Sequence, residues 1–511
     1  MKKLIALILA LVMVACLFTG CGEKFEEITP DPLPAQEEIT DPGDKVEYKI
    51  SGALGSNMVV QRNKEIHVWG WSENYGEYIY GEFMGEKRYA EISEDGEFDL
   101  VFSAHPENTK GETMKIYPKN GKTTEFTDVL VGDVWFVTGQ SNAEYHTDVT
   151  YTYNPETPEE AANTDLIRLY NQTVMYLDGE PTLGDEIHED VLSTAYCWEK
   201  TNSESVGKFS AIGYYFAKGI IEETDDVPLG MVMMAASGRA IRHFVPKDIA
   251  QSFGYEAGGT AYNCMMYPFL KMNIRGMLFY QGESDNWECE EGAPDNYNEQ
   301  LAALIKYFRE WYGYDFPFYN CQLSSHAGYL AGPGGWPGLN KIRCEQEEAL
   351  KEIDNYYLVA TYDYGVMSDA EPEMEHPYNK KPVGDRLAYL GLAQFYKPSN
   401  YDIDSWQCPD PTAVEWSEDS VLITFDHAGK GLKLREGDEL KGFYLLDKDQ
   451  IILRTTSAEI VGDNQVKVAI KDNVKEDTVY VAYAADFVCP PETHNLINSN
   501  DLPCLAFRLS K

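Results

Sequence analysis

Three short segments of the chain bring a hydroxyl, a carboxamide and an imidazole, the groups that acyl transfer needs. Val134-Trp-Phe-Val-Thr-Gly-Gln-Ser-Asn142 is an apolar run that breaks at Gly139 and delivers Ser141 two residues later. Arg275-Gly-Met-Leu-Phe-Tyr-Gln-Gly-Glu-Ser-Asp285 repeats the pattern, an apolar run ending in Gln281-Gly282-Glu283. Glu375-His376-Pro377 stands just ahead of Val383-Gly-Asp-Arg-Leu-Ala-Tyr-Leu-Gly-Leu, whose apolar residues recur at helical spacing. A serine becomes a nucleophile when a base takes its proton, and the oxyanion that follows needs preorganised donors. Taken alone, Ser141 could equally cap the helix after it. The two later segments tilt the balance toward chemistry.

Such residues must be held by a sheet. In open α/β folds, ligands collect at the carboxyl edge of the strands, which is where Ser141 and Gln281 would emerge. Strand-like runs such as Val227 to Ala235 and Gly276 to Tyr280 alternate with helical ones such as Ala211 to Glu223 and Tyr297 to Tyr312. That alternation predicts an α/β unit over 131–397, a mostly parallel sheet flanked by helices. Residues 47–130 alternate apolar and polar, with turns at Glu94-Asp-Gly96 and Lys119-Asn-Gly-Lys122, and predict an amino-terminal β-sandwich-like domain. Residues 398–511 return to strand periodicity in Val421-Leu-Ile-Thr-Phe425, Val466-Lys-Val-Ala-Ile470 and Thr478-Val-Tyr-Val-Ala-Tyr483, a second β domain.

Several motifs, read in order, resemble one family. Met58-Val-Val-Gln-Arg62 with Trp69-Gly70, then Gly132-Asp-Val-Trp135 leading into Gly139-Gln-Ser-Asn142, are followed by Phe209-Ser-Ala-Ile-Gly-Tyr-Tyr-Phe216 and Tyr262-Asn263. Tyr280-Gln-Gly-Glu283, His376-Pro377 and Asn495-Leu-Ile-Asn498 complete the set. Over about residues 50 to 511 the chain resembles the sialate O-acetylesterase branch of the GDSL/SGNH hydrolases. The resemblance implies an SGNH-type fold and an O-acetylated carbohydrate substrate. It also implies Ser141 as nucleophile and His376 as base, with neither metal nor cofactor. His146 is close to Ser141 in sequence but would point elsewhere, and His243, His326 and His494 lack a strand-edge context.

The chain departs from the family's pattern in two places. An aspartate usually precedes the histidine by two or three residues; here Met374 and Glu373 occupy those positions, and Glu373 is the expected third member of the triad. The family's Gly-Gly-Thr becomes Ala236-Ser-Gly-Arg239, leaving Gly238 to supply a backbone N–H. The expected oxyanion hole joins the N–H of Ser141, the N–H of Gly238 and the amide of Gln281. Asn142, Arg239 and Glu283 are the candidate substrate contacts, Glu283 as a hydrogen-bond acceptor behind the reacting groups and Arg239 toward a sugar carboxylate. Gly332-Pro-Gly-Gly-Trp-Pro-Gly338 is a further candidate wall of the cleft. A xylan or hemicellulose acetylesterase fits the same motifs, and so does a non-catalytic surface protein that binds glycans.

The chain's beginning points outward. Met1-Lys2-Lys3 and the uncharged apolar run to Phe18 read as a signal segment over 1–20, too short to span a bilayer. Thr19-Gly20-Cys21-Gly22 looks like a bacterial lipobox, so Cys21 is the expected lipidation site and the membrane a partner through that anchor. Residues 21–46, rich in Glu, Asp and Pro, are the expected tether, and the enzyme an exported surface lipoprotein or a secreted protein. A net charge of −42 over 511 residues opposes phosphate backbones, which sets nucleic acid aside as a partner. The ten cysteines show no Cys-x-x-Cys spacing, so no structural zinc is expected. Cys489 and Cys504 could form a local disulfide, whereas Cys264 and Cys321 read as buried thiols.

Overall fold

A computed structural model of the protein describes residues 29–39, 43–150, 157, 159, 164–172, 183–193, 195–224, 226–286, 294, 296–325, 338–364, 376–377, 379–471, 473–485, 489 and 491–511. Residues 1–28, with the expected signal segment and Cys21, and His326, Trp336 and Glu373 to Glu375 therefore lie outside the described residues.

The site-bearing sheet is built from β1 (Thr124–Gly139), β2 (Ile167–Asn171), β3 (Trp198–Lys200), β4 (Leu229–Ala235), β5 (Gly276–Tyr280), β6 (Phe318–Gln322) and β7 (Tyr356–Ala360). They lie in the order β3-β2-β4-β1-β5-β6-β7. All neighbouring pairs are parallel except the edge pair of β3 with β2. Around them stand α1 (Ser141–Glu144), α2 (Ala211–Glu223), α3 (Tyr297–Tyr312), α4 (Gly338–Glu348) and α5 (Lys381–Gly391).

The apolar run of β1 follows from its place at the middle of this sheet. Val134 to Val137 have no solvent exposure, because helices and loops cover both faces. On one face Trp135 meets Phe216 of α2 with ring centroids 4.8 Å apart; Phe136, the next residue, meets Phe269 at 6.2 Å. That reversal between successive residues is the period-two alternation of a strand. Helices α2 and α5 close on each other at Gly384, where a Cβ would stand 2.5 Å from that of Tyr215. Strand β4 starts at Leu229 rather than Val227, since Pro228 cannot donate to the ladder and offers only its carbonyl, to Asp133 at 2.8 Å.

Strand β1 has 16 residues, and the expected division at 130 and 131 falls inside it. Its first half pairs antiparallel with Asn108–Pro118 and parallel with Val59–Gln61, so the amino-terminal strands join one 11-stranded sheet with the α/β unit. Asp133 marks the junction. Its fully buried carboxylate accepts from Arg62 Nε at 3.0 Å, Arg275 Nη2 at 2.8 Å, Gln61 Nε2 at 2.9 Å and the Tyr396 hydroxyl at 2.8 Å. Burial alone would raise this carboxyl; Arg275 and Arg62 override it and hold it well below the ordinary range. The motifs Gln61-Arg62 and Gly132-Asp133 thus form one ion cluster.

Residues 29–39, in the expected tether, contact the amino-terminal strands. The buried Arg88 guanidinium donates to the carbonyls of Pro34 at 2.6 Å and Leu33 at 3.0 Å, and Gln36 exchanges two hydrogen bonds with the backbone of Tyr89. After α5 the chain forms two four-stranded antiparallel sheets, one holding Ser420–Asp426 and Gln465–Ala469, the other Phe443–Leu446 and Tyr480–Tyr483. This region docks on the α/β unit through polar contacts: Arg435 pairs with Asp363 at 2.9 Å, and Gln322 donates to the carbonyl of Ala506 at 2.9 Å. Cys489 and Cys504 are separate buried thiols, which corrects the disulfide expectation; Arg343 donates to Cys489 Sγ at 3.4 Å. Cys264 and Cys321 are buried free thiols as well. Among the described residues, no helix is long and apolar enough to cross a membrane.

Candidate active site

The turn carrying Ser141 exists because residue 139 has no side chain. Gly139 takes φ +127°, and a Cβ there would stand 2.2 Å from the carbonyl oxygen of Tyr280. The ends of β1 and β5 can therefore touch, with Gln140 N donating to Tyr280 O at 3.0 Å, while Gly139 O accepts from Ala236 N at 2.8 Å. The chain turns sharply and begins α1 at Ser141, partly exposed at the carboxyl edge of the sheet.

His376 reaches this edge from the segment ahead of α5. Its Nε2 lies 2.8 Å from Ser141 Oγ, within hydrogen-bond reach for proton transfer. Tyr145, just after α1, stacks on the imidazole with centroids 5.2 Å apart and planes 9° apart, which fixes the ring's orientation. His146, the nearer histidine in sequence, is turned into the protein: burial drives its imidazole down to about 4, and its backbone bridges Ser210. Glu373 lies outside the described residues.

Gln281 is placed differently from expectation. It has no solvent exposure, and its Nε2 donates to Gln140 Oε1 at 3.2 Å, the Arg239 carbonyl at 3.1 Å and Asp285 Oδ2 at 2.5 Å. Its Oε1 accepts from the Tyr297 hydroxyl at 2.9 Å. An amide so engaged supports the turns from behind and does not donate into the mouth of the site, so the expected oxyanion role of Gln281 is set aside. Two other expected donors remain. Among the described residues, neither the Ser141 N–H nor the Gly238 N–H has an acceptor. Gly238 is exposed, takes φ +71°, and follows Ser237, whose N–H and hydroxyl donate to the buried Glu144 of α1. Glu144 thereby ties the Gly238 loop to the helix that begins at Ser141.

Asn142 and Glu283 also lie behind the site. Asn142 is 1% exposed; its Nδ2 donates to Glu283 Oε1 at 2.5 Å, and its Oδ1 accepts from the Lys380 ammonium. The buried Asn142 and the likewise buried Glu283 turn away from the mouth of the site, which corrects their expected substrate contacts; Glu283 accepts from Asn142 there. Arg239 is half-buried beside Gly238, and its Nε has no partner among the described residues. Sequence reasoning did not single out Gln140, Glu144, Tyr145, Asp285, Tyr297 or Lys380. The available signal was polarity packed densely around the two strand ends; Gln140 Oε1 alone accepts from the backbones of Ser284 at 3.0 Å and Gly282 at 3.4 Å.

A serine with an imidazole on its hydroxyl, a sharp strand-to-helix turn and two backbone donors nearby can perform acyl transfer. The comparisons agree with that chemistry. A family model described as carbohydrate esterase, sialic acid-specific acetylesterase, matches residues 131–388. A sialate O-acetylesterase from Pongo abelii is 27% identical over 325 residues, covering 57% of this chain and 58% of that protein, and the Homo sapiens sialate O-acetylesterase gives the same figures. The chain thus spans less than two thirds of the length of these relatives. A crystal structure of a carbohydrate acetylesterase from Xanthomonas citri superposes with TM-score 0.76 at 26% identity, covering 91% of this chain and all of that one. With more than half of its length matched by the family model, the chain belongs to the sialic acid-specific acetylesterase family of carbohydrate esterases.

Proposed function

We propose that the protein is a carbohydrate O-acetylesterase that hydrolyses acetyl esters on sugar hydroxyls through an acyl-enzyme on Ser141. The observation that carries this reading is the 2.8 Å approach of His376 Nε2 to Ser141 Oγ. His376 takes the hydroxyl proton as Ser141 Oγ attacks the acetyl carbonyl carbon. The N–H groups of Ser141 and Gly238 receive the oxyanion, each worth a factor of about 10² to 10³ if it behaves as such donors do elsewhere. The intermediate collapses, the sugar oxygen leaves with the proton from His376, and water then releases acetate by the same steps in reverse. No cofactor enters this scheme. Glu373 is the proposed carboxylate partner of His376, by its spacing, and Arg239 the proposed contact for an anionic or hydroxyl-rich acceptor.

The wider assignments belong to the same proposal. The parallel order of β2, β4, β1, β5, β6 and β7 supports an SGNH-type reading, and the two β regions are read as sandwich-like domains over 47–130 and 398–511. The leader and Cys21 support an exported lipoprotein at a bacterial cell surface. The names of the relatives favour a sialate acceptor, with xylan or another hemicellulose as the alternative. Acetate release from p-nitrophenyl acetate, O-acetylated sialic acid and acetylated xylan tests the reading, using residues 22–511 beside Ser141→Ala. Turnover lost in Ser141→Ala is the expected result, and the preferred acceptor names the substrate. No turnover on any of the three defeats the esterase reading and favours a glycan-binding protein.

A further inference from the structure

One buried charge beside the site has no part in the reaction as derived. Lys380 lies four residues after His376, immediately ahead of α5, with no solvent exposure. Its ammonium donates to Asn142 Oδ1, and Asn142 Nδ2 donates to Glu283 Oε1 at 2.5 Å. The Lys380 Nζ also lies 5.2 Å from the Tyr280 ring centroid and 5.5 Å from that of Tyr145, the ring stacked on His376. A single polar chain therefore joins the histidine segment, the nucleophile turn and the turn after β5. Burying an ammonium carries a large desolvation cost, so a lysine kept here must return something specific.

We propose that Lys380 is a positioning residue for the esterase reaction: through Asn142 it locks the histidine segment to the nucleophile turn, and with Glu283 it sets the charge balance at the imidazole. This rests on the serine esterase reading. Three loops meet at the site, and a misplacement of about 1 Å between nucleophile and base can cost about a hundredfold in rate. Lys380 is the cross-link that holds two of those loops in register.

The charges give the proposal a signature. Burial drives the Lys380 ammonium down to about 7, with Glu283 pulling it upward. Among the described residues, the Tyr280 hydroxyl and the Cys321 thiol of β6 beside it are uncharged, since burial pushes both well up. On α5, Arg386 is paired with Asp363 at 2.7 Å and Lys381 with Asp385 at 3.0 Å, while Glu144 of α1 faces Ser237. A positive charge at Lys380 disfavours the imidazolium of His376, and a negative charge at Glu283 favours it. Removing the lysine should therefore raise the pH at which the base becomes active.

The test is kcat and kcat/KM on p-nitrophenyl acetate between about pH 5 and 9 for the parent, Lys380→Met, Asn142→Ala and Ser141→Ala. Lys380→Met is expected to lose about tenfold or more in kcat with KM within about twofold, and to move the acid limb upward by about half a pH unit. A loss confined to kcat together with an upward limb is a pairing that a merely structural role would not produce. A Lys380→Met enzyme with kcat within about twofold of the parent and an unmoved limb overturns the proposal. Should Lys380→Met not fold, Asn142→Ala, which breaks the same link, decides: a loss of about tenfold in kcat with KM within about twofold supports the proposal, and a kcat within about twofold of the parent overturns it. Activity retained by Ser141→Ala would instead defeat the serine reading, a result distinct from any behaviour of Lys380.

Discussion

His376 and Ser141, 235 residues apart in sequence, meet through a 2.8 Å contact between Nε2 and Oγ at the carboxyl edge of the sheet. Nothing local creates it. Ser141 is placed by the close approach of β1 to β5, and His376 by the segment that leads into α5, which packs on α2.

If that contact is the proton path, His376→Ala should lower kcat by about 10² to 10⁴ while leaving the far-ultraviolet circular dichroism unchanged. Steady-state kinetics on p-nitrophenyl acetate at neutral pH checks this. A smaller loss would point to another base.

Gly139→Ala asks whether the turn itself is essential. The added methyl would stand 2.2 Å from backbone at Tyr280, in a conformation that side chains rarely adopt. We expect a stability cost of about 1–3 kcal/mol from the strained backbone, and a loss of about a hundredfold in kcat/KM as Ser141 is displaced. Urea unfolding and kinetics on the same preparation separate the two effects.

Asp133→Asn tests the ion cluster where the amino-terminal strands join the α/β unit. It leaves Arg62 and Arg275 without their shared carboxylate, and breaking a buried pair typically costs about 3–5 kcal/mol. The folded carboxyl is held below its ordinary value of 3.8, so the stability it confers is complete above that value and is lost as pH falls through the lower, folded one. Urea midpoints for parent and variant should differ strongly at pH 7 and converge in strong acid.

His146 predicts a second acid-sensitive increment. Its imidazole titrates near 4 in the fold against an ordinary 6.5, so the unfolded chain binds the extra proton first. Stability should be full above about 6.5 and fall as pH drops toward 4, by an amount on the order of 3 kcal/mol. In His146→Gln the difference in urea midpoint between pH 7 and pH 4.5 should shrink. An unchanged difference would show that His146 is not buried neutral.

Much of this arrangement was legible in the residues. The apolar runs ending at Gly139 and Tyr280, and the helices Ala211–Glu223 and Tyr297–Tyr312, follow from local periodicity, and the structure places them at those positions. Ser141 and His376 could be singled out because their types suit acyl transfer and the motifs around them resemble a family's. Gln281 shows the limit of that reasoning. A carboxamide at a strand end has the right chemistry for an oxyanion donor, but the direction of its Nε2 depends on Asp285, Tyr297 and Gln140, which no spacing rule connects to it.

The sequence by itself determined most of the strands and helices and the edge at which Ser141 emerges, because each depends on a residue's own properties or on neighbours a few positions away; the candidate nucleophile and base came from the resemblance to a family. Only the tertiary structure decided which polar groups face the mouth of the site and which are spent behind it. Lys380, Asn142 and Glu283 come from three distant segments, and no one of them marks the others in sequence. Their roles were set when β1, β5 and the histidine segment packed together, since a buried polar group must find its partners in space rather than along the chain.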